Sequence, residues 1–225
     1  MSKILIANSL NPNAQVSLEV GLDLASKLNL EPIVLHGDKM ADSEKLNSVL
    51  AHINLEVQDH YVENIHNANL KKFQEQLNKI KNPFENVRFE SKSGESSELL
   101  INEAKGDDIQ FIILGHNSNK NLVDKFLGSV SESVIHKSQK PILIVKDSRI
   151  ENLKKIVLAY DFSYHCDQSF DWAIKFAQAT GACIEVVNIV PCYYQGYQVS
   201  ETLQNNFDKA LESLINETVE INQKN

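Results

Sequence analysis

Residues 111–146 read FIILGHNSNKNLVDKFLGSVSESVIHKSQKPILIVK, and this stretch decides the fold. The apolar run from Ile109 to Leu114 is short enough for a strand buried on both faces. Gly115 ends the run, and a polar loop follows from His116 to Asn121. Leu122, Phe126, Val130 and Val134 then recur every four residues, which is the spacing of one helix face. Pro141 blocks continuation of that helix, and Pro141 to Val145 reads as the next buried strand. Strand, glycine, loop, helix and strand make one βαβ unit.

The chemistry of the unit lies in its glycines and hydroxyls. Gly115, at a strand end, lets a ligand approach the backbone closely. Exposed N–H groups beside a helix N-terminus suit an anion such as phosphate. Ser129 and Ser131 add hydroxyl donors, and His116 stands directly after Gly115. On these residues alone, an ordinary βα turn with a solvated histidine fits equally well.

Working outward, Lys3 to Ala7 is a first buried strand, followed by a turn around Pro12. Residues 14–29 are helical, with Val20, Leu24 and Leu28 on one stripe. Pro32 to His36 is a second strand. A polar insertion follows, with a short helix over Leu46 to Ile53 and a longer one marked by Leu70, Phe73, Leu77 and Ile80. Residues 86–92 alternate around Val87 and Phe89 as a third strand, and Ser96 or Ser97 caps a helix closed by Gly106. Strands alternating with helices imply an open, parallel, five-stranded α/β sheet of Rossmann-like type, with helices on both faces. Ligands of such sheets bind beyond the strand C-termini, which places Asn8, Ser9 and Gly115 on one rim.

The stretch resembles the C-terminal half of the universal stress protein family. Nucleotide-binding members of that family carry Gly, two residues, Gly, nine residues, Gly and then Ser or Thr. Gly115, Gly128, Ser129, Val130 and Ser131 fall in that register, and GSVSESVIHKSQKPILIV is similar to the family's ending. Ser118 stands where the second glycine belongs. The resemblance implies a degenerate ATP site in which Ser118, Asn119, Ser129 and Val130 offer N–H groups to phosphate, with Mg only if ATP binds. It also implies a cytoplasmic stress-response binding module, with an ATP-binding switch of slow hydrolysis as the alternative. Catalysis beyond a slow ATPase is not expected.

The chain then repeats itself. A gapless shift of 152 lays Lys3-Ile4-Leu5-Ile6-Ala7 over Lys155-Ile156-Val157-Leu158-Ala159, and Ser17, Ala25 and Val34 over Ser169, Ala177 and Val186. The expected organisation is a domain over 1–147, a linker over 148–153 and a second copy over 154–225. The second copy reads as strand, helix, strand and a last amphipathic helix through Leu203, Phe207, Leu211 and Ile215. In the family, the first strand runs into an acid that helps hold the nucleoside. Asp161-Phe162-Ser163 keeps that acid in the second copy. The gapless register puts Ser9 at the equivalent place in the first copy, and a one-residue slip puts Asn8 there.

The chain has 225 residues, 42% of them hydrophobic, and a net charge of −8. That charge argues against a nucleic-acid partner, because phosphate binding needs a basic face. No apolar run approaches bilayer length, and no leader pattern opens the chain, so a cytoplasmic location is expected. Cys166, Cys183 and Cys192 lack paired spacing and read as buried, reduced thiols. The seven histidines, His52, His60 and His66 among them, show no metal-ligand spacing, and no GxSxG, Walker or GxGxxG motif is present. Trp172 and Phe176, four apart, read as core. The strand Pro141–Val145 should be an apolar sheet edge guarded only by Lys140 and Lys146. Because the second copy stops before its own equivalent strand, a homodimer through Pro141–Val145 is expected.

Overall fold

The computed structural model describes residues 2–38, 55–116, 128–146, 153–161 and 163–188, with single positions at 205, 206, 209 and 213. They fall into two compact units, which divide between Leu153 and Lys154.

The first unit is built on β1 (Lys3–Ala7), α1 (Ala14–Lys27), β2 (Glu31–Asp38), α2 (Leu55–Leu77), β3 (Arg88–Ser93), α3 (Ser96–Ala104), β4 (Ile109–Gly115), α4 (Ser129–Lys137) and β5 (Ile142–Val145). The five strands are parallel, in the order β3-β2-β1-β4-β5. The continuous apolar runs occupy the centre: Ile4, Leu5, Ile6, Ile112 and Ile113 are fully buried. A strand covered on both faces has no polar side to present, which is why these runs do not alternate. Leu100 and Ala104 of α3 and Val134 of α4 cover one face, against Leu5, Ile33, Leu35 and Leu114. α1 lies close to β1: a Cβ on Gly21 would come within 2.6 Å of the Ile6 Cδ1. Chain order reverses between β1 and β4, so the carboxyl ends of these two strands form the switch point where such sheets bind ligands.

α2 packs on β3 through Phe73, whose ring stacks on Phe89 at 4.4 Å and 10°. The other side chains buried on its described face are polar, Asn69 and Gln76. Leu70, Leu77 and Ile80, expected to lead this face, are only half-buried. At the outer end of the sheet, Glu90 of β3 pairs with Arg88 and Lys92, and Lys92 reaches Glu103 of α3 at 2.7 Å.

The second unit comprises β6 (Lys155–Ala159), α5 (Tyr164–Thr180) and β7 (Cys183–Val187). Its strands are parallel, and every register pair is that of β1–β2 advanced by 152: Lys3 with Glu31 becomes Lys155 with Cys183. Leu158, Tyr160, Phe170 and Ala173 form its core, with Ile156, Ile184 and Val186 packed against them. Gly181, at φ +75°, ends α5 in the left-handed conformation that favours glycine.

Several expectations are corrected. Cys183 is exposed and Cys166 half-buried, so neither is the buried thiol expected. Cys183 opens β7 at the border of the second unit, and Cys166, in the first turn of α5, packs against the rim of its core. Trp172 and Phe176 are half-buried and lie outside the second core, their rings tilted at 5.7 Å with the Lys175 ammonium 4.7 Å above the indole. The expected helix over Leu46 to Ile53, the helix start at Leu122, linker positions 148–152, Cys192 and the last helix's apolar stripe lie outside the described residues.

Candidate functional site

At the switch point the sheet opens into a cleft of about 170 Å³. Three segments supply its walls. The β1–α1 loop brings Asn8, Ser9, Asn11 and Asn13; the end of β4 brings Leu114, Gly115 and His116; the start of α4 brings Gly128, Ser129, Val130 and Ser131. Leu35 and Leu100 add apolar floor, and Gly37 and Ser96 close one side. Eight candidate residues from the sequence, Asn8, Ser9, Gly115, His116, Gly128, Ser129, Val130 and Ser131, therefore meet here. Ser118 and Asn119 lie outside the described residues.

Each wall has a local cause. Gly115 lets α1 approach β4, since a Cβ there would stand 2.9 Å from the Ser17 Oγ. Gly37 does the same for α3, where a Cβ would meet the Ser96 Cα at 2.8 Å. The His116 N–H donates to the Val145 carbonyl at 2.7 Å, which ties the β4 exit to β5. α4 starts after Gly128, whose φ of −74° and ψ of 158° are open to any residue. Gly128, at the N-cap, has no side chain to cap this helix, and among the described residues its first-turn N–H groups keep the donor capacity that attracts anions. The Glu132 N–H makes the first helical bond, to the Gly128 carbonyl at 2.9 Å. Ser131 is buried and Ser129 exposed, and both line the cleft.

No Asp, Glu, Lys or Arg lines the cleft among the described residues; His116 is its one titratable side chain. The donors are backbone N–H groups, hydroxyls and carboxamides. Such a wall can hold an anion at the α4 end and a neutral polar or flat group over the leucines at the other.

The β1–α1 loop shows how the repeat register runs. The Asn8 Oδ1 accepts the Leu10 N–H at 2.7 Å, and the Asp161 Oδ1 accepts the Ser163 N–H at 2.9 Å. In this turn Asn8 makes the bond that Asp161 makes, yet the backbone keeps the gapless register: the Asn8 N–H donates to the Leu35 carbonyl and the Tyr160 N–H to the Val187 carbonyl, each at 2.9 Å, which lays Asn8 over Tyr160 and Ser9 over Asp161. The Asn8 side chain is 3% exposed and is held from behind by Gln76 of α2 at 2.9 Å. Sequence reading missed Gln76 because it is polar, and apolar periodicity does not count it. Its signal was spacing: Asn69, Phe73 and Gln76 stand at i, i+4 and i+7.

Asp161 belongs to the second unit, where it also accepts the Cys166 Sγ–H at 2.9 Å. The Cys166 thiol and the Ser163 N–H hold its carboxyl at a pKa of about 2. It closes there the turn that leads into α5, whose N-cap is Ser163. Burial, and then a 2.8 Å hydrogen bond from its hydroxyl to Asp167, push Tyr160 up to about 12. The described residues contain no group of three or more His, Cys, Asp or Glu placed to hold a metal ion. No helix among them is long and apolar enough to cross a membrane.

An open parallel α/β sheet with a donor-rich cleft at its switch point defines a ligand-binding domain class. A family profile described as the universal stress protein family matches residues 1–146, and the chain belongs to that family. A universal stress protein of Methanocaldococcus jannaschii is 29% identical over 153 residues, covering 64% of this chain and 94% of that protein. The crystal structure of a universal stress protein from Archaeoglobus fulgidus is similar in fold, with a TM-score of 0.63 at 18% identity, over 96% of this chain and 74% of that one. A functionally unknown protein from Pseudomonas aeruginosa matches with a TM-score of 0.63 at 17% identity, over 97% of this chain and 70% of that one.

Proposed function

We propose that the first unit is a nucleotide-binding module of stress-response type, working in the cytoplasm and taking ATP weakly. The phosphates lie against the first turn of α4, and the nucleoside faces the β1–α1 loop. The observation that supports this reading is the cleft, where three separate segments converge on one wall that is donor-rich and, among the described residues, free of Asp, Glu, Lys and Arg. Affinity is low because Asn8 offers no carboxylate and Ser118 replaces a glycine. Losing a charge-assisted hydrogen bond costs about 1.5–3 kcal/mol, and each 1.4 kcal/mol is about tenfold. Mg accompanies ATP only as a counter-ion of its phosphates. The role is binding rather than catalysis.

Titration calorimetry with Mg-ATP tests the proposal. A dissociation constant near millimolar supports it. A constant near micromolar with slow release of phosphate favours the second reading, an ATP-binding switch, for which the open cleft is the supporting observation. Absence of any binding overturns both.

We also propose that residues 154–225 begin a second copy of the domain, joined by a linker over 148–153, and that two chains associate through Pro141–Val145. The first is supported by the constant offset of 152 between the two sets of strand pairs. The second is supported by the position of β5 at the end of the sheet order.

A further inference from the structure

We infer that Gln76 of α2 is a positioning residue of the cleft: it holds the β1–α1 loop in the shape that makes one wall, without lining the cleft itself. The inference uses the cleft as read above, and it adds the element that shapes it.

The β1–α1 loop is not at rest. Leu10 sits at φ +58°, a left-handed conformation that a leucine resists. A residue held there needs surroundings that over-determine it. The holding begins with the Leu10 N–H, which donates to the Asn8 Oδ1 at 2.7 Å. That bond fixes which end of the Asn8 carboxamide is oxygen. The Asn8 Nδ2 then donates to the Gln76 Oε1 at 2.9 Å, and the Gln76 Nε2 donates to the Asn11 carbonyl at 2.9 Å. The chain of donors starts and ends on the loop backbone, at Leu10 and Asn11, and crosses to α2 in between. Gln76 is 7% exposed, so water competes little for either bond. From the other side, the His36 Nδ1 bonds the Asn8 carbonyl at 2.8 Å.

The chain closes without conflict only because both side chains are amides. A carboxylate at position 8 would set oxygen against the Gln76 Oε1. Gln76 would then have to turn its Nε2 toward position 8, leaving the Asn11 carbonyl unbonded. The neutral residue at the end of β1 and the glutamine on α2 therefore belong together. α2 is itself seated by Phe73 on Phe89 and by the Asn69 Nδ2, which donates to the Ser91 Oγ at 2.9 Å. The wall of the cleft is thus referred to β3 through α2. Coupling of this kind is reciprocal: a ligand that orders the loop tightens α2 by the same factor.

The test compares the full chain with its Gln76→Ala and Gln76→Glu variants, using amide exchange at Leu10 in ligand-free protein and titration with Mg-ATP. Gln76→Ala removes both bonds and is expected to speed Leu10 exchange and weaken Mg-ATP, each by about tenfold or more. Gln76→Glu is expected to show the same direction of change near neutral pH, where a carboxylate oxygen replaces the Nε2 donor and faces the Asn11 carbonyl, acceptor against acceptor. It is expected to regain wild-type values as the pH falls through the carboxyl's pKa, because the protonated acid again donates. A residue that merely fills space gives no such recovery. Unchanged Leu10 exchange in Gln76→Ala, or a Gln76→Glu variant with no recovery at low pH, overturns the inference. If Leu10 exchange responds as expected while wild type binds no Mg-ATP, the positioning role stands and the nucleotide reading falls.

Discussion

Asn8 does for Leu10 what Asp161 does for Ser163: each side-chain oxygen accepts the N–H two residues onward, at 2.7 and 2.9 Å. The turn is the same, but the charge is not. The unit that carries the glycine and serine segment uses an amide, and the other unit uses an acid.

That difference gives the second unit a pH dependence. The Asp161 carboxyl lies at about 2, below its ordinary 3.8. A lowered folded pKa contributes stability above the unfolded value, and it is lost as pH falls from about 4 to about 2. Asp161→Asn keeps an acceptor for the Ser163 N–H but cannot titrate. Amide exchange at Ser163 should accelerate over that window in wild type and stay flat in the variant.

Tyr160 makes the opposite case. Its pKa is raised from 10.0 to about 12, so its contribution is complete below pH 10 and is lost as pH rises towards 12. Phenolate absorbance should show one tyrosine titrating late. Tyr160→Phe should remove that late step and cost about 1 kcal/mol, the worth of one hydrogen bond, in urea denaturation.

Gly128→Val should leave the fold intact, because the backbone there is extended. A valine side chain would enter the space in front of the α4 N–H groups. Mg-ATP affinity is expected to fall at least tenfold, about 1.4 kcal/mol, by calorimetry, with an unchanged circular dichroism spectrum. Equal affinity would show that the anion does not sit at α4.

Gly37→Ala should behave differently. Its Cβ would meet backbone, the Ser96 Cα at 2.8 Å, and no side chain can swing aside. Overpacking of this kind costs about 1–3 kcal/mol, more than the few tenths that alanine gains in the unfolded chain. Both the urea midpoint and ligand affinity should drop.

Leu143→Lys tests association. Ile142, Leu143 and Ile144 are half-buried on the last strand of the sheet. Light scattering should give the mass of two chains for wild type and of one for the variant. A single-chain mass for dilute wild type would end the proposal.

Much of the fold was legible in the residues. The apolar runs of β1 and β4 announced strands buried on both faces, and Gly115 and Gly128 marked the rim. What was not legible has physical causes. Asn8 makes the turn bond that Asp161 makes although the register lays it over Tyr160, and alignment cannot see which side chain reaches the N–H two residues on. The inner face of α2 was read from leucines, yet Asn69 and Gln76 are buried, because hydrogen bonds to Ser91, Asn8 and Asn11 replace the water they lose. Burial of a polar side chain depends on partners distant in sequence, and no local periodicity encodes them.

The charged cluster on β3 has a consequence for how far association can go. The sheet of the first unit has two ends. One is the apolar β5; the other carries Arg88, Glu90 and Lys92, locked in mutual pairs. The proposed two-fold contact at β5 would use up the apolar border of each sheet. The opposite border offers a newcomer charges that would have to be stripped of water and partners. Growth through this sheet would then halt at a closed pair, because the border left over does not welcome a third sheet.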